Sequence, residues 1–414
     1  MEKKAAAWAD AVIGYLKEGI KPEASFIGVE IEQFIVDRVT KKAVPYSGRG
    51  GVKEIVEKLM SMYPGSEPIM GEDLLGFTAE HFTITLEPAA QIEISIFPMH
   101  SVCCLEEISR DYFEKLDSIL APLGLEALFV GCQPESKVDD LELIPKERYR
   151  LMDMHFQKTG TGGRQMMRGS ASVQISMDFT SEYDFRRKLQ TAHFFAPAWM
   201  LLCNNAKRFQ GEDIQGYLKR YDIWDRTDPA RCGILPGVFS DDYGFEDYAE
   251  FLAKMPMIFV EENGKEAYTG FKTTDELFDG KVPDEAQIQH ILSMAFPHVR
   301  VKKYLEIRVA DSVPVPYMLA YCSLVKGLMY SDEVLSKVQE QIRKDHIDEK
   351  VLDSAFRDLM ANGWDGSIFG HPAREFVQKM LDTAKTDLSD AECGYLEAFY
   401  KVLQFGGISE IPQE

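Results

Sequence analysis

The stretch Gly28-Val29-Glu30-Ile31-Glu32-Gln33-Phe34 alternates apolar and acidic residues. Side chains two apart on a β-strand share a face, so Glu30 and Glu32 point to one side and Val29 and Ile31 to the other. The same period recurs downstream. Residues 91–96 set Gln91, Glu93 and Ser95 opposite Ile92, Ile94 and Ile96, and residues 80–88 set His81, Thr83, Thr85 and Glu87 opposite Phe82, Ile84 and Leu86. Ser172, Gln174, Ser176 and Asp178 alternate with Val173, Ile175, Met177 and Phe179, and Glu306 and Arg308 alternate with Leu305, Ile307 and Val309.

Working outward, strand-like runs at 28–36, 76–86, 91–97, 127–131, 171–179, 257–260 and 304–309 are separated by helical periodicity at 5–18, 52–63, 105–120, 185–204 and 287–296. Helices set between hairpin-like strand pairs predict an α+β protein with an antiparallel or mixed sheet rather than a βαβ repeat. Strand signals cease after about residue 316 and helical patterns run to 405, which predicts a helical C-terminal layer. No repeat or long linker divides the chain, so the expectation is one catalytic unit over 1–414, with a core at 20–330 and a helical extension at 331–414.

The chain has 414 residues, 67 acidic against 46 basic, for a net charge of −21. Without a basic stripe, a phosphate-backbone partner is excluded and nucleic acid is not expected. No apolar run reaches membrane-spanning length, so no membrane partner is expected either. Seven cysteines without metal-ligand spacing read as free thiols. Together with a start that lacks a secretory apolar core, they lead to an expected cytoplasmic location. The expected partners are small molecules, with the protein itself a monomer or homodimer.

A wet face is ordinary on any one antiparallel strand. The combined faces, however, are rich in carboxylates and a carboxamide and poor in cations, and like charges on neighbouring strands destabilise a sheet. Magnesium would relieve that repulsion, because this hard cation takes carboxylate and amide oxygens and leaves positions for phosphates. It would also let an acidic protein bind ATP. Residues 158–164, Lys-Thr-Gly-Thr-Gly-Gly-Arg, form a loop that reads either as a plain flexible connection or as a mobile lid whose amides approach phosphates. The turn-rich stretch 220–233 holds Arg220, Arg226 and Arg231, suited to gripping a carboxylate or, equally, to a surface ion-pair cluster.

In order along the chain, residues 28–34, 86–95, 172–179, 223–233 and 304–311 resemble plant-type glutamate–cysteine ligases, a family related in fold to glutamine synthetase; the likeness runs from about residue 26 to 329. The resemblance implies a curved, mainly antiparallel sheet forming a funnel with helices outside. It also implies ATP-dependent activation of the glutamate γ-carboxylate as an acyl phosphate, captured by the amine of cysteine, a step of glutathione biosynthesis. Residue by residue, it implies Glu30, Glu32, Glu93, Gln174 and Glu306 as magnesium ligands with Glu87 near them. Arg308, with Glu306, would face the transferred phosphoryl group. Arg231 would hold the glutamate carboxylate; the composition of the two loops adds Arg220 as a further substrate-binding candidate and Gly162, Gly163 and Arg164 as candidates at the nucleotide. Ala89-Ala90 stands where the family usually has Gly-Gly. Three alternatives are a γ-glutamyl ligase using another amine, a guanidino kinase of related fold, and a catalytically silent nucleotide-binding relative.

Overall fold

The computed structural model describes residues 7–262 and 264–412, with Glu262 described by its backbone only. The chain's opening residues, on which part of the non-secretory reading rests, lie outside them. A nine-stranded sheet organises the chain: β1 (Ile27–Asp37), β2 (Glu67–Met70), β3 (Leu74–Thr78), β4 (Phe82–Leu86), β5 (Ile92–Met99), β6 (Leu125–Leu128), β7 (Ser172–Met177), β8 (Val299–Val301) and β9 (Leu305–Asp311). Their order is β8-β9-β7-β1-β5-β4-β3-β2, with β6 paired to the far end of β1. Every pairing in this sheet is antiparallel.

β1 lies at the centre because both its edges are paired, by β7 and by β5 and β6. The register sets Glu30 across from Gln174 on one side and Ser95 on the other, and Glu32 directly across from Glu93. The apolar alternates Val29, Ile31, Ile92, Ile94, Val173, Ile175 and Ile307 are all buried. The helices Val102–Leu120 and Val315–Met329 pack against this part of the sheet. Buried apolar side chains from Trp8 to Leu403 form one contiguous cluster that runs past residue 330 without a break.

The single strand expected at 76–86 is two strands, β3 and β4, joined by a turn in which the Ala79 amide donates to the Phe82 carbonyl at 2.8 Å. His81 falls in that turn and is exposed, so it does not belong to the polar face. Gly76 carries φ +152, and a Cβ there would meet the Ile84 carbonyl oxygen at 2.0 Å, so only glycine permits this close crossing of β3 and β4.

Beyond Met329 the chain forms the helices Asp332–Lys344, Glu349–Asn362, Ala373–Ala384, Asp390–Tyr395 and Glu397–Phe405. Their starts are legible locally: Ser331, Asp348 and Ser389 accept amide protons as N-caps, and Glu392 completes a capping box. One feature departs from the purely helical expectation, a hairpin of Ser367–Ile368 against His371–Pro372.

The turn between β4 and β5 places Ala90 at φ +64 while its amide donates to the Glu87 carbonyl at 2.9 Å. A side chain with a Cβ is strained in this left-handed region. Ala90→Gly is therefore expected to raise stability by about 1 kcal/mol, read as a higher urea midpoint with an unchanged slope. An unchanged or lower midpoint would show that the turn relaxes without glycine.

Candidate active site

The polar face of the sheet gathers residues from five separate stretches of sequence. Glu32 is the most firmly held: its carboxylate accepts from the Ser172 amide at 2.8 Å, the Ser172 hydroxyl at 2.9 Å and Gln174 Nε2 at 2.8 Å. Glu93 accepts from the Thr85 hydroxyl at 2.9 Å and the Ser95 hydroxyl at 3.2 Å, its neighbours across and along the strands.

Burial, with Glu93 and Glu306 nearby, pushes the Glu30 carboxyl up to about 8. Burial, with Glu87 and Glu32 nearby, does the same to Glu93. Burial beside Glu32 pushes Glu87 up to about 7, against the pull of Lys146, Arg308 and Arg148. Burial also raises Glu32, although Arg220, Arg308 and its own hydrogen bonds oppose it. The four carboxyls thus form a chain of mutually unfavourable charges in a low-dielectric setting.

At one end of this chain stands Glu306, fully buried and surrounded by cations. Arg300 Nε donates to its Oε2 at 2.6 Å, Arg308 Nη1 to the same oxygen at 2.7 Å, and Lys302 Nζ to Oε1 at 2.7 Å. Burial alone would raise Glu306, but Arg300, Lys302 and Arg308 outweigh it and hold the carboxyl well below the usual range. Arg308 also donates to Gln174 Oε1. A one-residue bulge in β9 between Ile307 and Ala310, opposite β7, redirects the chain at this point. Arg300 and Lys302 were missed in the sequence, although Val299-Arg300-Val301-Lys302 alternates; two cycles are too few to stand out.

Several expected roles need correction. Glu306 is neutralised by three cations, whereas the partners of Glu32 are neutral donors, so Glu306 orders Arg300, Lys302 and Arg308 in place of opposing another carboxylate. Gln174 bridges Glu32 and Arg308 with both ends of its amide. Arg231 is fully buried and committed: it bonds Asp228 at 2.6 Å, the Met294 carbonyl at 3.0 Å, His155 at 3.3 Å and the Pro256 carbonyl. It is a knot that ties the 228–233 turn to neighbouring segments, fully buried and with four of its five N–H groups bonded within the protein.

Gly162 and Gly163 do not make an open phosphate loop. The amides of Thr161 and Gly162 donate to the Arg226 carbonyl, and a Cβ on Gly162 would lie 2.1 Å from the Ile223 carbonyl oxygen. The glycines serve close packing, and the turn between the helices Glu147–Thr159 and Gly163–Gly169 is short and pinned rather than a lid. Arg164 pairs with Asp139 at 2.7 Å and with Asp153 at 3.6 Å.

Arg220 does reach the site. Its Nη1 donates to the Arg308 carbonyl at 3.0 Å, while its Nε and the Trp224 Nε1 are buried without partners. Both line a space of about 30 Å³ beside Arg308, His298 and Phe296. The expected turn at 220–233 begins as the helix Lys219–Asp225, which aims Arg220 and Trp224 to this side.

Among the described residues, no three acidic, histidine or cysteine side chains converge tightly enough to form a ready-made cation cage. The donor set still fits a hard cation: carboxyl oxygens whose charges oppose one another are what a divalent ion relieves. Magnesium uses only one or two carboxylates and keeps several waters, so it needs no closed cage.

Two outcomes follow from these charges. The carboxyls of Glu30, Glu93 and Glu87 are raised in the fold, so the stability they contribute is present below about 4.5 and lost as pH rises towards 8. Metal-free protein should melt at a lower temperature at pH 8.5 than at pH 6, and magnesium should restore more at pH 8.5; equal gains at both pH values would contradict the reading. Glu306→Gln leaves three cations without their counter-charge and should cost on the order of 3 kcal/mol in chemical denaturation. A variant as stable as the parent would show that Glu306 does not organise them.

Comparison with known proteins gives the family of the chain. Residues 26–403 match the family described as glutamate–cysteine ligase family 2. The match thus extends through the C-terminal helices, beyond residue 329. Glutamate–cysteine ligase A, chloroplastic, from Oryza sativa subsp. indica is 28% identical over 415 residues, covering 95% of this chain and 82% of that protein. The chloroplastic glutamate–cysteine ligase of Arabidopsis thaliana is 28% identical over 416 residues, covering 95% and 77%. Among solved structures, a glutamate–cysteine ligase of Francisella tularensis in complex with AMP aligns with a TM-score of 0.53 at 11% identity, covering 95% of this chain and 84% of that one. That last likeness speaks for the fold alone. With its family shown over most of its length, this chain belongs to glutamate–cysteine ligase family 2 and is a ligase.

Proposed function

We propose that this protein joins the γ-carboxylate of glutamate to the amine of cysteine, using ATP and magnesium and forming γ-glutamylcysteine, ADP and phosphate. The observation that carries the reading is the meeting, on one sheet face, of the Glu30–Glu32–Glu87–Glu93 carboxyls with the Arg300–Lys302–Arg308 cations. In the first step a γ-carboxylate oxygen of glutamate attacks the γ-phosphorus of ATP and ADP leaves. In the second the cysteine nitrogen attacks the acyl carbon, phosphate departs and the amine gives up a proton. Phosphoryl transfer asks for positioning and charge neutralisation more than for covalent help from side chains.

Each residue's task follows from its placement. Glu30, Glu32, Glu87 and Glu93 are the groups that would hold magnesium, and the metal when bound supplies charge neutralisation to the phosphate oxygens. Arg308, fixed by Glu306 and Gln174, would meet the transferred phosphoryl group, with Arg300 and Lys302 lending positive charge behind it. Arg220 and Trp224 offer unpartnered N–H groups for a substrate carboxylate.

The seven unpaired thiols suit a reducing compartment such as the cytoplasm, where the product would feed glutathione biosynthesis. Among the described residues no helix is long and apolar enough to cross a membrane.

The test is ADP release from ATP, magnesium and glutamate with a panel of amines. Cysteine should give the highest kcat/KM; a strong preference for another amine would change the acceptor but keep the chemistry, and no ADP with any amine would reject the function. Arg308→Lys should lower kcat by about 10²- to 10³-fold in a protein with unaltered circular dichroism, because a point charge cannot replace the guanidinium fork.

A further inference from the structure

A cavity of about 460 Å³ lies in the C-terminal layer, between the helices Glu182–Leu202, Asp332–Lys344 and Ala373–Ala384 and the hairpin at 367–372. None of its lining residues belongs to the carboxylate face or its cations. Its volume is in the range of small-molecule sites and too small for a folded partner.

The floor is aromatic. Phe194 stands 5.0 Å from Phe369 and 5.7 Å from Phe376, Phe195 stands 6.2 Å from Phe376, and Phe369 stands 5.9 Å from Phe376, all between ring centroids. The rim is basic. Lys337, Lys344 and Lys379 line it with His371, against Asp345 and Glu375. Lys337 pairs with Glu333, and Asp345 accepts from Gln341, while Lys344 and Lys379 have no acidic partner among the described residues. These two unpaired lysines at the mouth are complementary to an anion.

The hairpin shows that the aromatic wall is held at a cost. Phe369 and Gly370 join the paired residues Ile368 and His371, with φ of +52 and +80. A two-residue hairpin turn with both residues at positive φ favours Asn-Gly or Asp-Gly, and a bulky residue at the first position is a genuine outlier. Here that strained position directs a phenyl ring to the cavity wall beside Phe194 and Phe376. A backbone outlier that places a side chain in a pocket is a reason to suspect binding.

We propose that this cavity is a second ligand site, separate from the catalytic face, and that it takes a small anion with a planar aromatic body. The rings of Phe194, Phe369 and Phe376 receive the apolar body, and Lys344 and Lys379 receive the carboxylate, sulfonate or phosphate. The claim does not depend on which amine the enzyme uses.

The probe is 8-anilinonaphthalene-1-sulfonate, followed by fluorescence with the full-length protein, with naphthalene-2-carboxylate and neutral naphthalene-2-methanol as competitors. The expected result is saturable binding at one site per chain, displaced by the carboxylate more strongly than by the alcohol and untouched by ATP with magnesium. Lys344→Glu with Lys379→Glu, both exposed positions, should weaken binding about tenfold by reversing two rim charges. Met380→Trp should block the site by filling it. ADP release should stay at the parent rate in the lysine variant, which separates this site from the catalytic one. Displacement by ATP, equal competition by the neutral alcohol, unchanged affinity in the lysine variant, or no saturable binding would each overturn the proposal.

Discussion

Glu32 and Glu93 face each other across adjacent antiparallel strands in the middle of the sheet, and Glu30 and Glu87 extend the same line of charge. Such a juxtaposition opposes folding, because burial and mutual repulsion both disfavour ionised carboxyls. The surrounding structure answers it in two ways. Ser172, Gln174, Thr85 and Ser95 donate hydrogen bonds to the acids, and Arg300, Lys302 and Arg308 place positive charge at one end of the line. The protein thus holds an acidic surface in place at a cost in stability.

The cation cluster depends in turn on an acid. Glu306 sits among Arg300, Lys302 and Arg308 and is the reason three like charges tolerate each other in a buried place. Its observed part is to organise positive charge. The bulge in β9 belongs to the same construction, since an extra residue at this point lets Arg308 contact both Glu306 and Gln174. Preorganised charge of this kind needs little rearrangement when a phosphoryl group moves.

Two buried arginines of the 220–233 stretch have different fates, and their hydrogen bonds decide between them. Arg231 is tied to Asp228, His155 and two carbonyls, so its guanidinium is spent on fixing the chain. Arg220, eleven residues earlier, keeps its Nε unpartnered beside Trp224 and Arg308. The composition of the stretch grouped the two as carboxylate binders; their hydrogen bonds separate them. The glycines of 160–163 likewise looked like a flexible loop, yet Gly160 and Gly162 lie against the 223–227 backbone and Gly163 against Phe156.

Period-2 alternation alone determined which side of β1, β5, β7 and β9 is polar, because a strand cannot turn one side chain over without turning all of them. The helical C-terminal layer was equally legible, from apolar periodicity and from caps such as Ser331, Asp348 and Ser389. Only the tertiary structure decided which acid meets which cation. The Arg300–Glu306 contact depends on the β8–β9 register, and the union of Glu32 with Ser172 and Gln174 joins segments some 140 residues apart. Spacing within one strand fixes direction, whereas partnership across strands is set by register, bulges and burial, which no single stretch of sequence contains.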